Sequence, residues 1–367
     1  MSKIKMILLI GIVVALVFTI LILPACKPEE AAAPETVIVK ETVIETVIET
    51  VEVEKEAVFT YEENLEYAAS GEPWPGEPAK GHKLAFANIL AAQPFCQAVE
   101  NSIIEQWKLA GGAEEDLLVM DNAVDVNLAV QNADMAFNFG PEVFIEFQID
   151  YKLNANIAKR ADEAGIEVIY VDVPGPAGTP YMGVNPYAAS VMAGEFAAGL
   201  VDSALGGWDN VDLVTWFWNP NAGDHALARQ YGAVETFKEK FGESADPSIK
   251  GSKALYGDSG SGTEEENTQQ MAAILAANPD AEIIIHFNMN DQGGAGAYAA
   301  AQTAGRWDPD KWLIITHGLD DLGKQLVRDN VVDGDVAYFP ERYGWYLVAG
   351  AVAYMNGNPI PPNMYVE

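Results

Sequence analysis

Cysteine and histidine are scarce in this chain of 367 residues, with two of the first and four of the second. Two cysteines cannot build a disulfide framework, and without a C-x-x-C or His/Cys cluster a structural zinc site is excluded. Basic residues are also few. Against 54 Asp and Glu stand 21 Lys and Arg, a formal net charge of −33. That balance excludes nucleic acid as a partner, because phosphate binding needs a basic face. The usual catalytic motifs are missing as well. Gly257-Asp258-Ser259-Gly260-Ser261 fails the G-x-S-x-G elbow at its last position. Gly260-Ser261-Gly262 is followed by acids that would repel a phosphate. His82, His225, His286 and His317 show no metal-binding spacing. Glycosidase chemistry needs two carboxyls facing one bond at about 5 to 10 Å, and nothing around Asp320-Asp321 suggests that arrangement. The reading is a non-enzyme that uses no cofactor and no metal.

What is present suggests two domains with a sizeable core, since 49% of residues are apolar and 20% charged. Lys3 and Lys5 precede a largely apolar run over 7–23, which stops at Pro24-Ala25-Cys26-Lys27-Pro28. The run is short for a bilayer span of roughly 20 residues and fits the layout of a secretory signal. Leu23-Pro24-Ala25-Cys26 resembles the bacterial lipoprotein signal, which implies cleavage after residue 25 and lipid on Cys26. The alternative is an uncleaved membrane anchor, and both readings put the remainder outside the cytoplasm.

Residues 26–80 are expected to be a disordered tether. Glu41-Thr42-Val43-Ile44 recurs as Glu45-Thr46-Val47-Ile48 and Glu49-Thr50-Val51-Glu52, a four-residue repeat that drifts off any coiled-coil seam. As a flexible chain it would span roughly 40 Å. The tether does not account for the acidity. With its nine Glu and three Lys over 26–57 and the two leader lysines set aside, 45 acidic and 16 basic residues remain.

From residue 83 apolar strands alternate with helices, at 83–89, 116–121, 142–147 and 166–172. The alternation starts again after Gly183-Val184-Asn185-Pro186, with strands at 211–218, 253–256, 281–286 and 312–316. Such alternation implies right-handed crossovers and two α/β lobes, each a doubly wound parallel sheet. In such sheets ligands bind beyond the carboxyl ends of the strands. Residues just after each strand are therefore the candidates.

The motifs along 83–361 resemble the type I periplasmic solute-binding proteins of ABC importers, in particular the ribose/galactose-like sugar-binding group. The pieces occur in that family's order: Gln93-Pro94-Phe95, Gly165-Ile166-Glu167-Val168-Ile169 leading to Asp172, Arg229-Gln230-Tyr231-Gly232, Asn290-Asp291, Gly318-Leu319-Asp320-Asp321, and Ala337-Tyr338-Phe339-Pro340. The resemblance implies lobes of 83–184 plus 339–362 and of 185–338 plus 363–367, joined by three crossings. These fall near Asn185-Pro186, Tyr338-Phe339 and Pro361-Pro362. It also implies a monomer that captures a sugar or sugar-like solute by hinge closure and delivers it to an ABC permease. A receptor feeding a sensor kinase or chemoreceptor shares this fold and stays an alternative, and a glycoside-acting enzyme is a weaker one.

Sugars offer C–H faces and rings of hydroxyls, so their sites combine aromatic faces with planar polar groups. Phe95, behind Pro94 at a helix start, is assigned to stacking, or else it anchors its own helix. Gln93 stands beside it. Asp172 ends an apolar strand and can accept two hydroxyls, or cap a turn. Arg229 offers a rigid fork of five donors, or a surface ion pair. Asn290 and Asp320 sit at strand ends in the second lobe, as hydroxyl partners or as helix caps. Of Trp216 and Trp218, which share a strand face, Trp218 is the cleft candidate. Three departures from the family pattern bear on the ligand. Val173 stands in place of the usual arginine, Phe147 in place of asparagine and Tyr338 in place of glutamine. Aromatic or apolar surface replaces hydrogen-bonding capacity at each. The expected ligand has a larger apolar face than a simple pentose, such as a deoxy or methylated sugar, a glycoside or a non-sugar solute.

Overall fold

The computed structural model describes residues 59–366; the leader, Cys26 and the glutamate repeat lie outside the described residues. The first series of elements is α1 (Tyr61–Ser70), β1 (Leu84–Asn88), α2 (Pro94–Leu109), β2 (Leu117–Asp121), α3 (Val126–Phe139), β3 (Val143–Glu146), α4 (Tyr151–Ala164), β4 (Glu167–Val171) and β5 (Tyr181–Gly183). A second series follows: α5 (Pro186–Ala204), β6 (Leu213–Trp218), α6 (Asp224–Phe241), β7 (Ala254–Asp258), α7 (Glu264–Ala277), β8 (Ile284–Phe287), α8 (Asp291–Thr303), β9 (Trp312–Gly318), α9 (Asp321–Arg328) and β10 (Gly334–Ala337). The chain then returns through α10 (Tyr343–Met355) to β11 (Asn363–Tyr365).

The helices start and stop where local chemistry allows. Asp125 and Asp150 accept the first free amides of α3 and α4, and Gly140 and Gly165 close those helices in the left-handed conformation. Asn185 caps α5 with Pro186 at its first position. The inner strands β1, β3, β4, β6, β8 and β9 are short, largely apolar runs buried on both faces, as a parallel sheet covered by helices requires, while the edge strands β2, β7, β10 and β11 are more open. Their order is β11-β5-β4-β3-β1-β2 in one sheet and β10-β9-β8-β6-β7 in the other. In the first, Leu84 and Phe86 face α2 and α10 while Ala85 and Ala87 face α3 and α4. In the second, Trp216 stacks on Phe287 with ring centroids 4.1 Å apart. The buried tryptophans each contribute on the order of 2–3 kcal/mol of apolar burial. The strand order reverses between β1 and β3 and again between β6 and β8, which sets two crevices at the carboxyl ends of the sheets.

The two parallel-sheet lobes are as expected, but two boundaries are not. Residues 59–80 are not tether. Thr60 and Glu63 form a capping box for α1, and Asn64 Nδ2 donates to Ala349 O at 3.1 Å. Ala68, Trp74 and Ala79 are buried in the first lobe's core. Residues 363–366 do not join the second lobe either. β11 pairs in parallel with β5, Asn363 opposite Tyr181, and Met364 is buried in the first core. Two crossings are therefore made among the described residues, at 183–186 and at 337–340, and the third, placed near Pro361-Pro362, is not. α10 explains the return. It is apolar all round and buried beneath α1 and α2, which a surface helix could not be.

Candidate functional site

A cavity of about 100 Å³ lies between the lobes, several times the roughly 10–15 Å³ that one water needs. Eight of the nine sequence candidates line it: Gln93, Phe95, Phe147 and Asp172 from the first lobe, Arg229, Asn290 and Asp320 from the second, and Tyr338 from the crossing after β10. Trp218 is the exception. It closes β6 one layer back, against Val173, Ala222 and Ala226, while Trp216 is core.

Asp172, Asn290 and Asp320 follow strand ends, whereas Phe95 and Arg229 are carried by helices α2 and α6. Asp172 follows β4 in a three-residue turn, with Val173 N donating to Val171 O at 2.6 Å and Asp172 itself at φ 56°. A non-glycine residue in that region stores strain, which a surrounding structure must hold. Here Tyr343 Oη donates to Asp172 Oδ1 at 3.0 Å, and Arg229 of α6 reaches Asp172 Oδ2 at 3.5 Å from the other lobe. Asp172 is thus not a turn cap, and Arg229 is not a surface residue. The guanidinium also lies 5.1 Å over the ring of Tyr338. Burial pushes Asp172 above the ordinary carboxylate range, and Arg229 and Tyr343 hold it partly back.

Asn290 and Asp320 take the capping roles. Asn290 accepts from Gly293 N at 2.9 Å and donates to Gly262 O at 2.8 Å. Asp320 Oδ1 accepts from Leu322 N and Gly323 N, while Oδ2 accepts from Gln292 Nε2 at 3.0 Å. Gln292 in turn accepts from Gln93 Nε2 at 2.7 Å, a second direct link between the lobes. Gln93 is free to make it because it occupies the cap position of α2 without capping. Phe95 packs edge-on against Tyr343 and Tyr338 at 5.4 and 6.4 Å, so it lines the cavity and anchors its helix together.

Residues 84–359 match the family described as the periplasmic binding protein domain. The chain belongs to that family. Its lobes superpose on solved members of the same fold, one of them an ABC transporter periplasmic solute-binding protein from Actinobacillus succinogenes with bound D-allose. That pair has a TM-score of 0.62 at 19% identity, over 78% of this chain and 95% of the other. A Caulobacter myo-inositol binding protein bound to myo-inositol gives 0.63 at 19%, over 80% and 92%. A Mycobacterium smegmatis protein in complex with β-D-fucofuranose gives 0.63 at 20%, over 77% and 88%. No curated protein sequence matches the chain.

In this periplasmic binding protein several cleft residues escaped the sequence reading. Gln292 and Asp291 could have been found, since they follow Asn290 at the end of β8. His317 lies inside β9 with no sequence signal at all. Its Nδ1 is 3.2 Å from Tyr338 Oη, and burial with Arg229 nearby lowers it to about 3, so the ring is neutral. On the cavity wall Asp291 lies beside Asp335, and burial pushes Asp291 well up and Asp335 to about 6. Gly318, at φ 138°, leaves them room, because a Cβ there would stand 2.8 Å from Asp291 Oδ2. Among the described residues no group of His, Cys, Asp and Glu could hold a metal ion.

Proposed function

We propose that the protein is an extracytoplasmic receptor that captures a sugar or sugar-like solute by closing its two lobes and passes it to an ABC permease. The observation that carries this reading is the inter-lobe cavity, with polar side chains from both lobes on its walls and Phe95, Phe147 and Tyr338 as an apolar side. The allose, inositol and fucofuranose complexes of proteins with this fold support a polyhydroxy ligand. Planar amides and charged forks suit hydroxyls, and flat aromatic surface suits C–H faces. Because Val173, Phe147 and Tyr338 supply no charged fork or amide, the preferred solute is less polar than ribose. Asp172 and Arg229 take the central polar contacts, Gln93 and Gln292 flank them, and Asn290 and Asp320 act chiefly by holding Gln292 and the start of α8 that carries it.

Only the closed state brings both walls to the solute, so occupancy shifts the population toward closed. Cys26 is the proposed lipid site, and the chain between it and residue 59 the tether; a lipoprotein's several acyl chains suffice for stable attachment. The receptor performs no chemistry on its solute. The test is native mass spectrometry of protein purified without refolding, followed by a thermal-shift screen of sugars, deoxy and methyl sugars, glycosides and cyclitols. A retained or stabilising solute that is released unaltered supports the reading. Turnover of a glycoside, or ribose preferred over every less polar compound, would count against it.

A further inference from the structure

The loop after β9, Gly318-Leu319-Asp320, sets two cleft residues: Asp320 itself and, through its Oδ2, Gln292. Its backbone is strained, since Leu319 holds the left-handed region at φ 54° without being glycine. Two carboxyls grip it. Asp291, the first residue of α8, accepts from Asp320 N at 2.9 Å through Oδ2. Asp335 of β10 accepts from Leu319 N at 3.1 Å through Oδ1. A Cβ on Gly323 would overlap Asp335 Oδ2 and stand 2.6 Å from Asp291 Oδ2. The two carboxyls therefore meet over that glycine, where they hydrogen-bond to each other.

Such a bond needs a proton, because a carboxylate can only accept. Two of the four oxygens are spent on the loop amides, and Asp291 Oδ1 and Asp335 Oδ2 are buried without a partner. No ion pair among the described residues includes either acid, and Lys324, next to Gly323, lies 3.3 Å from Asp321 instead. The other groups around the pair bring no positive charge. Asp320 is spent on the α9 amides and Gln292, and Asp333 accepts from Ile314 N. Tyr338 and Thr316 bring hydroxyls, and His317 is neutral beside Tyr338. Glu195 and Asp202 of α5 are exposed. One negative charge on the pair is thus served by two amides and the start of α8. A second would meet only its like, since the Thr316 hydroxyl can satisfy one oxygen and not two.

Resting on the reading of the cleft as the solute site, we infer that Asp291 and Asp335 share one proton and act together as positioning residues, holding the strained loop that orients Asp320 and Gln292. The sign of the pH dependence follows from linkage. The native pair keeps a proton that two unfolded aspartates, at about 3.9, give up. Its stabilisation is full below about 3.9 and is lost as pH rises toward the raised native value. The directions agree: burial and then Asp335 raise Asp291, and burial raises Asp335 to about 6.

The test compares the solute-free wild type with Asp335→Asn, whose oxygen still accepts from Leu319 N and whose nitrogen is a permanent donor to Asp291. Infrared difference spectra at pH 6 are expected to show one protonated carboxyl fewer in D335N, with other buried acids such as Glu146 cancelling. In denaturant unfolding, the ratio of folding constants, wild type to D335N, is expected to fall about tenfold from pH 5 to 6. Identical spectra, or a ratio that does not move with pH, overturns the shared proton. Asp335→Ala tests the positioning. Hydrogen exchange over 318–323 is expected to lose about tenfold in protection in D335A and none in D335N. Full protection in D335A overturns the role, and Asp335→Ser, too short to reach Leu319 N, replaces D335A if that variant does not fold. Every readout is free of solute, so an empty solute screen refutes capture alone, and unchanged spectra refute the pair alone.

Discussion

Arg229→Ala should separate closure from folding. Arg229 and Asp172 sit on different lobes, 3.5 Å apart, with side chains 14% and 6% exposed. Removing one member of a buried pair costs about 3–5 kcal/mol, chiefly by leaving the other charge without a partner. The long, single contact argues for the lower end, about 3 kcal/mol, which is roughly a hundredfold in an equilibrium constant. That cost need not fall on the fold, because opening the lobes lets water reach Asp172. The expected result is therefore solute affinity reduced about a hundredfold by titration calorimetry, with the melting temperature of the free protein within a few degrees of wild type. Adding Asp172→Asn removes the orphaned charge, so the double variant should recover about tenfold or more of the loss. Unchanged affinity in Arg229→Ala, or a double variant no better than the single one, would refute the argument that this pair works across the cleft.

Phe95→Ala strips the edge-on contacts to Tyr338 and Tyr343; each such contact carries about 0.5–1.5 kcal/mol beyond its burial. Calorimetry should show affinity down about ten- to a hundredfold, with a smaller loss in melting temperature. Asp320→Ala removes both α9 amide acceptors and the hold on Gln292. It should cost about 1–2 kcal/mol of stability by denaturant unfolding, and affinity should fall as Gln292 loses its position. Trp74→Ala, in the segment that sequence alone reads as tether, should cost about 3–5 kcal/mol, whereas a true tether residue would cost nothing measurable.

The parts of the fold that were legible are those written in local chemistry. Apolar runs ending in Asp172, Asn290 or Asp320 mark strand ends, and strand ends are where such sheets bind ligands, so eight of nine candidates fell on one cavity. The errors come from segments whose partners are distant in sequence. Nothing local in 59–80 reveals that Asn64 of α1 meets Ala349 of α10, 285 residues later, or that Ala68 and Trp74 share its core. The three residues of β11 are too few to carry a strand pattern, and only the register against β5 decides which lobe they join.

In sequence, capping and binding are rival roles for the strand-end carboxylates and amides; in the structure the geometry makes them partners. One oxygen of Asp320 ties down the amides that begin α9, and the other fixes Gln292, which bridges to Gln93 across the gap. A polar residue at a helix start is already oriented by the backbone it satisfies, so its remaining valence points in a fixed direction at little further entropic cost. Asp172 follows the opposite course. It caps nothing, holds a left-handed turn, and depends on Tyr343 and Arg229 to stay in place. Of the two strand-end acids, then, it is Asp172 whose environment changes when the lobes part, and the energetics of closure should be concentrated there.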